Sequence, residues 1–95
     1  MVSKKSFKGT KRVQLVIEVS GAKGVFVAGN FNDWNSSDDS FRMEELCGVF
    51  IIYLFFPKGK FEYKFVVDNE WLIDVHNEDF EINEHGTLNS VLIIE

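Results

Sequence analysis

The sequence predicts an all-β fold, an immunoglobulin-like β-sandwich of about six to eight short antiparallel strands. Its 95 residues include ten Phe, two Trp and two Tyr, and the runs rich in Val, Ile and Phe have the composition of pleated, half-buried strands. Seven Gly and a single Pro fall between those runs, where turns need them. No window repeats apolar residues at helical spacing, whereas several alternate with a period of two.

Residues 12 to 19 alternate, with Val13, Leu15, Ile17 and Val19 on one face and Gln14, Val16 and Glu18 on the other. Gly21 to Gly24 turns the chain into a short strand, Val25 to Ala28. The polar stretch from Gly29 to Ser40 follows, rich in Asn, Asp, Ser and Gly, which favour turns through local hydrogen bonds and tolerance of positive φ. Phe41 to Leu46 reads as one strand. Val49 to Phe56 is apolar on both faces and predicts a central strand covered on each side. After the turn at Pro57-Lys58-Gly59-Lys60, residues 61 to 67 place Phe61, Tyr63, Phe65 and Val67 inward and Glu62, Lys64 and Val66 outward. Asp68-Asn69-Glu70 forms a tight turn, Trp71 to Val75 a short strand, His76 to Asn89 a polar loop, and Val91 to Ile94 the last strand.

A chain of this length supports one two-layer core and leaves too little for a deep catalytic cleft. Five of its ten basic residues (Lys4, Lys5, Lys8, Lys11, Arg12) lie in the first twelve positions, so residues 13 to 95 carry five basic against fifteen acidic groups, a formal −10. Residues 1–11 therefore read as a basic, solvated leader and 12–95 as the folded domain. So acidic a body repels a phosphate backbone, which excludes nucleic acid as the partner. No stretch approaches the roughly 20 apolar residues of a membrane span, and Lys4 and Lys5 lead into polar residues rather than a signal sequence. Cys47 stands alone, so no intrachain disulfide holds the fold; the expectation is a cytoplasmic protein in which Cys47 is a small buried hydrophobe.

The fifteen carboxylates are scattered through turns, and a small sandwich has no enclosed pocket to raise one carboxyl pKa as a general acid requires. No catalytic residue is assigned and no enzyme activity is expected. Asp74, His76, Glu78, Asp79 and His85 match no zinc or calcium spacing and read as a polar loop, with no metal or cofactor.

Two tryptophans carry more information. Trp34 lies between Asp33 and Asn35, and Trp71 follows Glu70 across a turn, so neither belongs to a hydrophobic run. One such residue can fold back over the core, but two large aromatic faces in polar settings mark a contact surface. A pyranose ring suits such a surface: its C–H face lies on an indole while Lys64, Thr87, Asn89 and Asn32 are placed to meet its hydroxyls.

Three motifs extend this reading: Val25-Phe26-Val27-Ala28-Gly29-Asn30-Phe31-Asn32-Asp33-Trp34, Phe61-Glu62-Tyr63-Lys64-Phe65-Val66-Val67-Asp68-Asn69-Glu70-Trp71, and Gly86-Thr87-Leu88-Asn89-Ser90-Val91. In their order and spacing, from about Arg12 to Ile94, the chain resembles family 48 of the carbohydrate-binding modules. That family includes the glycogen-binding domain of the AMP-activated protein kinase β subunit and the amino-terminal domains of branching and debranching enzymes. The resemblance implies that Trp34 and Trp71 are stacking platforms, that Lys64 and Asn89 bond glucose hydroxyls and that Thr87 assists. It also implies that Asn32 and Asp33 shape the first loop, that Asp68 begins the hairpin presenting Trp71, and that Asp74 matches a family aspartate. Three positions depart from the family pattern: His85 replaces a leucine that inserts into the curve of the glucan, Asn69 replaces a turn glycine, and Val75 replaces a proline. The expected function is non-catalytic binding of α-glucans such as glycogen, starch or maltooligosaccharides. The alternative is a structural or protein-interaction domain that docks the same face on a kinase subunit or a glucan-active catalytic domain.

Overall fold

Eight strands and one 3-10 turn form in the computed structural model, which describes residues 1–95. They are β1 (Lys11–Glu18), β2 (Val25–Gly29), β3 (Glu44–Leu46), β4 (Val49–Phe56), β5 (Gly59–Val67), β6 (Glu70–Leu72), β7 (Phe80–Ile82) and β8 (Leu88–Ile94), with the 3-10 turn at Asp39–Phe41. A three-stranded sheet has the order β1-β4-β3; a five-stranded sheet has the order β2-β5-β8-β7, with β6 also paired to β5. Every pairing is antiparallel. The alternation in the sequence decides which side chains meet between the sheets. Leu15, Phe50, Ile52, Leu54 and Phe56 from one sheet pack with Val25, Val27, Tyr63, Phe65 and Val67 from the other. Burying a side chain of this size stabilises by about 1.5–3 kcal/mol. No helix is long and apolar enough to cross a membrane.

Two of the hairpins close with two-residue loops, between Leu46 and Val49 and between Val67 and Glu70. Their central residues, Cys47 (φ 53°), Gly48 (81°), Asp68 (46°) and Asn69 (71°), are all left-handed, as in the primed turns whose twist matches the flanking strands. Asn69 thus takes the positive φ expected of it. Cys47 corrects the expectation of a buried hydrophobe: it is exposed at the hairpin tip, because strand register leaves it in the loop whatever its hydrophobicity.

Other expectations are also revised. Phe41 to Leu46 is not one strand: the Asp38 carboxylate accepts the Ser40 N–H (3.0 Å), closing the 3-10 turn at Asp39–Phe41, and β3 starts only at Glu44. β4 is central but buried on one face only, with Tyr53 on the other face 44% exposed; the amino terminus pairs with its edge rather than covering that face. There Ser3 bridges Phe55, the Phe55 N–H donating to the Ser3 carbonyl at 2.8 Å, and Val2 is buried in the core. Val2 and Ser3 are therefore tied down, and the exposed, solvated stretch is residues 4–9, which carry Lys4, Lys5 and Lys8. Within the expected polar loop, Phe80–Ile82 forms an edge strand that draws the start of β8 back to Leu88.

A buried polar cluster links β5, the segment after β6, and β8. The Tyr63 hydroxyl donates to Asp74 Oδ2 (2.8 Å), the Asp74 N–H donates to Ser90 Oγ (2.8 Å), and Asn77 Nδ2 donates to Tyr63 Oη (3.2 Å) and the Val91 carbonyl (2.8 Å). Burial, reinforced by the Asp74 carboxylate, raises the Tyr63 pKa above its ordinary value. Asp74, matched to a family aspartate by sequence, is thus an acceptor inside the fold.

Candidate functional site

The period-two alternation that turns Tyr63 and Phe65 inward turns Glu62, Lys64 and Val66 onto the outer face of the five-stranded sheet. Register brings partners to this face. Val66 lies opposite Phe26 of β2 and Trp71 of β6, and Lys64 lies opposite Ala28. Trp71 is 43% exposed, while Val66 beside it is fully covered.

Trp34 arrives by a different route. The Gly29 carbonyl accepts both the Asn32 N–H (3.1 Å) and the Trp34 N–H (2.9 Å), folding the loop after β2 back on itself. Asn32 Oδ1 accepts the Gly29 N–H (2.9 Å), and its Nδ2 donates to the Val27 carbonyl (3.1 Å). Asp33 and Trp34 both have φ 56°, a left-handed backbone that non-glycine residues adopt at a cost. Gly29 is required where it stands, because a Cβ there would press on the Phe31 ring and lie 2.5 Å from the Glu62 carbonyl oxygen.

Trp34 and Trp71 line one open groove of about 650 Å³. Of the six residues expected in a site, Trp34, Lys64, Trp71, His85, Thr87 and Asn89 all line it. Lys64 Nζ donates to Thr87 Oγ1 (3.0 Å), and Asn89, itself buried, donates through Nδ2 to Glu62 Oε1 (3.1 Å). His85 occupies the turn between β7 and β8; its ring is exposed, with Nε2 3.8 Å from Glu84 Oε1. Asn32 does not line the groove, since both ends of its amide are occupied by the loop backbone. It shapes the loop, as the resemblance implied, rather than facing a ligand.

The groove also contains Asn30, Glu62, Glu81, Ile82, Asn83 and Glu84, none of which the sequence singled out. Glu62 was detectable in principle, being two residues from Lys64 and on the same outward face. Asn83 bonds both Thr87 and Asn89 through contacts that form only once β7 and β8 pair. Glu81 is tied by an ion pair to Lys60, whose pKa is raised by that hydrogen bond.

Residues 13–95 match the family described as the glycogen recognition site of AMP-activated protein kinase. The chain belongs to this family. The match range contains every groove residue named above. Among relatives of this glycogen-recognition domain, the β-2 subunits of 5′-AMP-activated protein kinase from Mus musculus and Homo sapiens are each 31% identical over 75 residues, 79% of this chain and 26% of theirs. The β-1 subunit from Sus scrofa is 29% identical over the same share of this chain and 57% of its own. The chain thus spans about a quarter of the length of the first of these relatives. A crystal structure of maltogenic amylase from S. marinus superposes on the whole chain with a TM-score of 0.73 at 23% identity, over 15% of the amylase. That likeness agrees with the all-β sandwich predicted from the sequence.

Proposed function

We propose that this domain binds α-glucan chains of the glycogen or starch type, without cleaving them, on the outer face of the five-stranded sheet. The observation that carries the reading is the convergence of Trp34 and Trp71, distant in sequence, on one groove together with Lys64, Thr87 and Asn89. In this reading the indoles stack on successive glucose units while the three polar side chains bond hydroxyls at the rim. His85, at the place of an apolar residue in family relatives, makes the contact at its end of the groove a polar one. Membership of the glycogen-recognition family supplies the ligand class.

The groove is open to water, which leaves Glu62, Glu81 and Glu84 without the dry environment that general acid catalysis needs. It also limits burial of the ligand, so dissociation constants of about 1 μM to 1 mM are expected. Similarity to kinase β subunits supports a cytoplasmic setting in which the domain holds glucan near a kinase subunit or a glucan-active enzyme.

The test is titration of the protein with maltoheptaose, followed by tryptophan fluorescence. Saturable quenching in the stated range, abolished by Trp71→Ala in a protein that still melts cooperatively, is the expected result. No response at millimolar sugar, or product release from glycogen on long incubation, would overturn the reading.

A further inference from the structure

We propose that Asn83 is a positioning residue of the groove, which locks the turn between β7 and β8 and orients the Thr87 hydroxyl so that Thr87 meets its ligand as a hydrogen-bond donor. The proposal rests, in its ligand half, on the glucan reading above.

The orientation of the Asn83 amide is settled by its neighbours. Its Oδ1 accepts the backbone N–H groups of His85 (2.9 Å) and Thr87 (3.1 Å), which can only donate. Its Nδ2 therefore faces the other way, donating to Thr87 Oγ1 (2.7 Å) and Asn89 Oδ1 (3.1 Å). The main chain adds two bonds to the same turn, from the Asn83 N–H to the Thr87 carbonyl (2.8 Å) and from the Gly86 N–H to the Asn83 carbonyl (3.0 Å). One side chain thus controls the segment that carries His85, Thr87 and Asn89.

Counting lone pairs gives the consequence. A threonine hydroxyl has one proton and two acceptor sites. At Thr87 both acceptor sites are filled, one by Asn83 Nδ2 and one by Lys64 Nζ (3.0 Å). The hydroxyl proton takes part in no hydrogen bond within the protein and is left for the groove. Lys64 retains two further N–H donors. Thr87 and Lys64 together form a donor pair suited to a lone-pair-bearing oxygen of a neutral sugar, either a hydroxyl or a ring or bridging oxygen.

Two variants of the full chain separate this from a purely structural role. Asn83→Asp keeps both acceptor bonds to the turn backbone but replaces the Nδ2 donor with an oxygen that captures the Thr87 proton. Amide exchange at His85 and Thr87 should stay within about twofold of wild type, while maltoheptaose affinity falls about five- to tenfold. Combined with Thr87→Val, it should cost less than the sum of the two separate losses, because the hydroxyl it misdirects is gone. Asn83→Ala should speed exchange of the His85 and Thr87 amides by about tenfold. The proposal is overturned if Asn83→Asp binds as wild type does, if its loss adds in full to that of Thr87→Val, or if Asn83→Ala leaves both amides as protected as before. Should the unmodified protein not bind maltoheptaose, the glucan reading fails, and the exchange rates still decide whether Asn83 locks the turn.

Discussion

Trp71 is held by a strand ladder and Trp34 by a loop. Trp71 sits on β6, paired with Val66 in a hairpin whose two turn residues have the left-handed backbone that the hairpin twist requires. The Asp68 carboxylate strengthens that turn by accepting the N–H groups of Lys23 and Gly24. Trp34 has no strand partner. Its left-handed backbone, shared with Asp33, costs about 1–2 kcal/mol per residue, which the bonds at Gly29 and Asn32 must offset. The difference teaches that Trp71 is positioned by register, through many similar contacts, and Trp34 by a few irreplaceable groups.

Substitutions can break that contrast. The largest effect is expected at Gly29, where Ala would drive a Cβ against the Glu62 carbonyl and the Phe31 ring. A loss of about 3 kcal/mol, measured by urea unfolding, is predicted. Asn32→Ala removes two part-buried bonds and is expected to cost about 2 kcal/mol. It should also disturb the Trp34 indole resonance while leaving that of Trp71 in place; equal disturbance of both would show that the platforms are not independent.

Tyr63, paired with Gly29 and buried beneath the groove, acts on both sides of the contrast. Tyr63→Phe leaves Asp74 without its hydroxyl partner and should cost about 1–2 kcal/mol near neutral pH. The folded-state pKa of Tyr63 is raised, so its contribution is fully present below about pH 10, the unfolded value, and is lost as pH rises beyond it. Unfolding free energy measured against pH should fall more steeply above about pH 10 in wild type than in Tyr63→Phe. Trp71→Ala should have a modest effect for so large a side chain, about 1–2 kcal/mol, because the residue is 43% exposed. A loss of several kcal/mol there would make Trp71 a core residue rather than a platform.

What the sequence made legible follows the same division. The alternation of residues 61 to 67 placed Tyr63 and Phe65 inside and Lys64 outside, and the turn chemistry of Asp68-Asn69 predicted the hairpin that carries Trp71. Regular periods express themselves locally, so they can be read. Cys47 could not be placed by hydrophobicity, because its exposure comes from the pairing of Leu46 with Val49. The 3-10 turn was hidden because it rests on a few local bonds to Asp38 and Asp39, which leave no periodic signal. β7 was hidden because three residues show too little alternation to stand out in a polar stretch. In the groove, the tryptophans and Lys64 were visible by type and setting, whereas Asn83 gains its role only from contacts made after β7 and β8 come together.

The most direct test of the central claim is a maltoheptaose titration of isotopically labelled protein followed by amide and indole resonances. The account predicts saturable shifts of both indoles and of amides around Glu62 to Lys64 and Asn83 to Asn89, with Ile51 and Tyr53 on the opposite sheet unmoved. No saturable shift by about 10 mM sugar, or shifts centred on the three-stranded sheet, would contradict it.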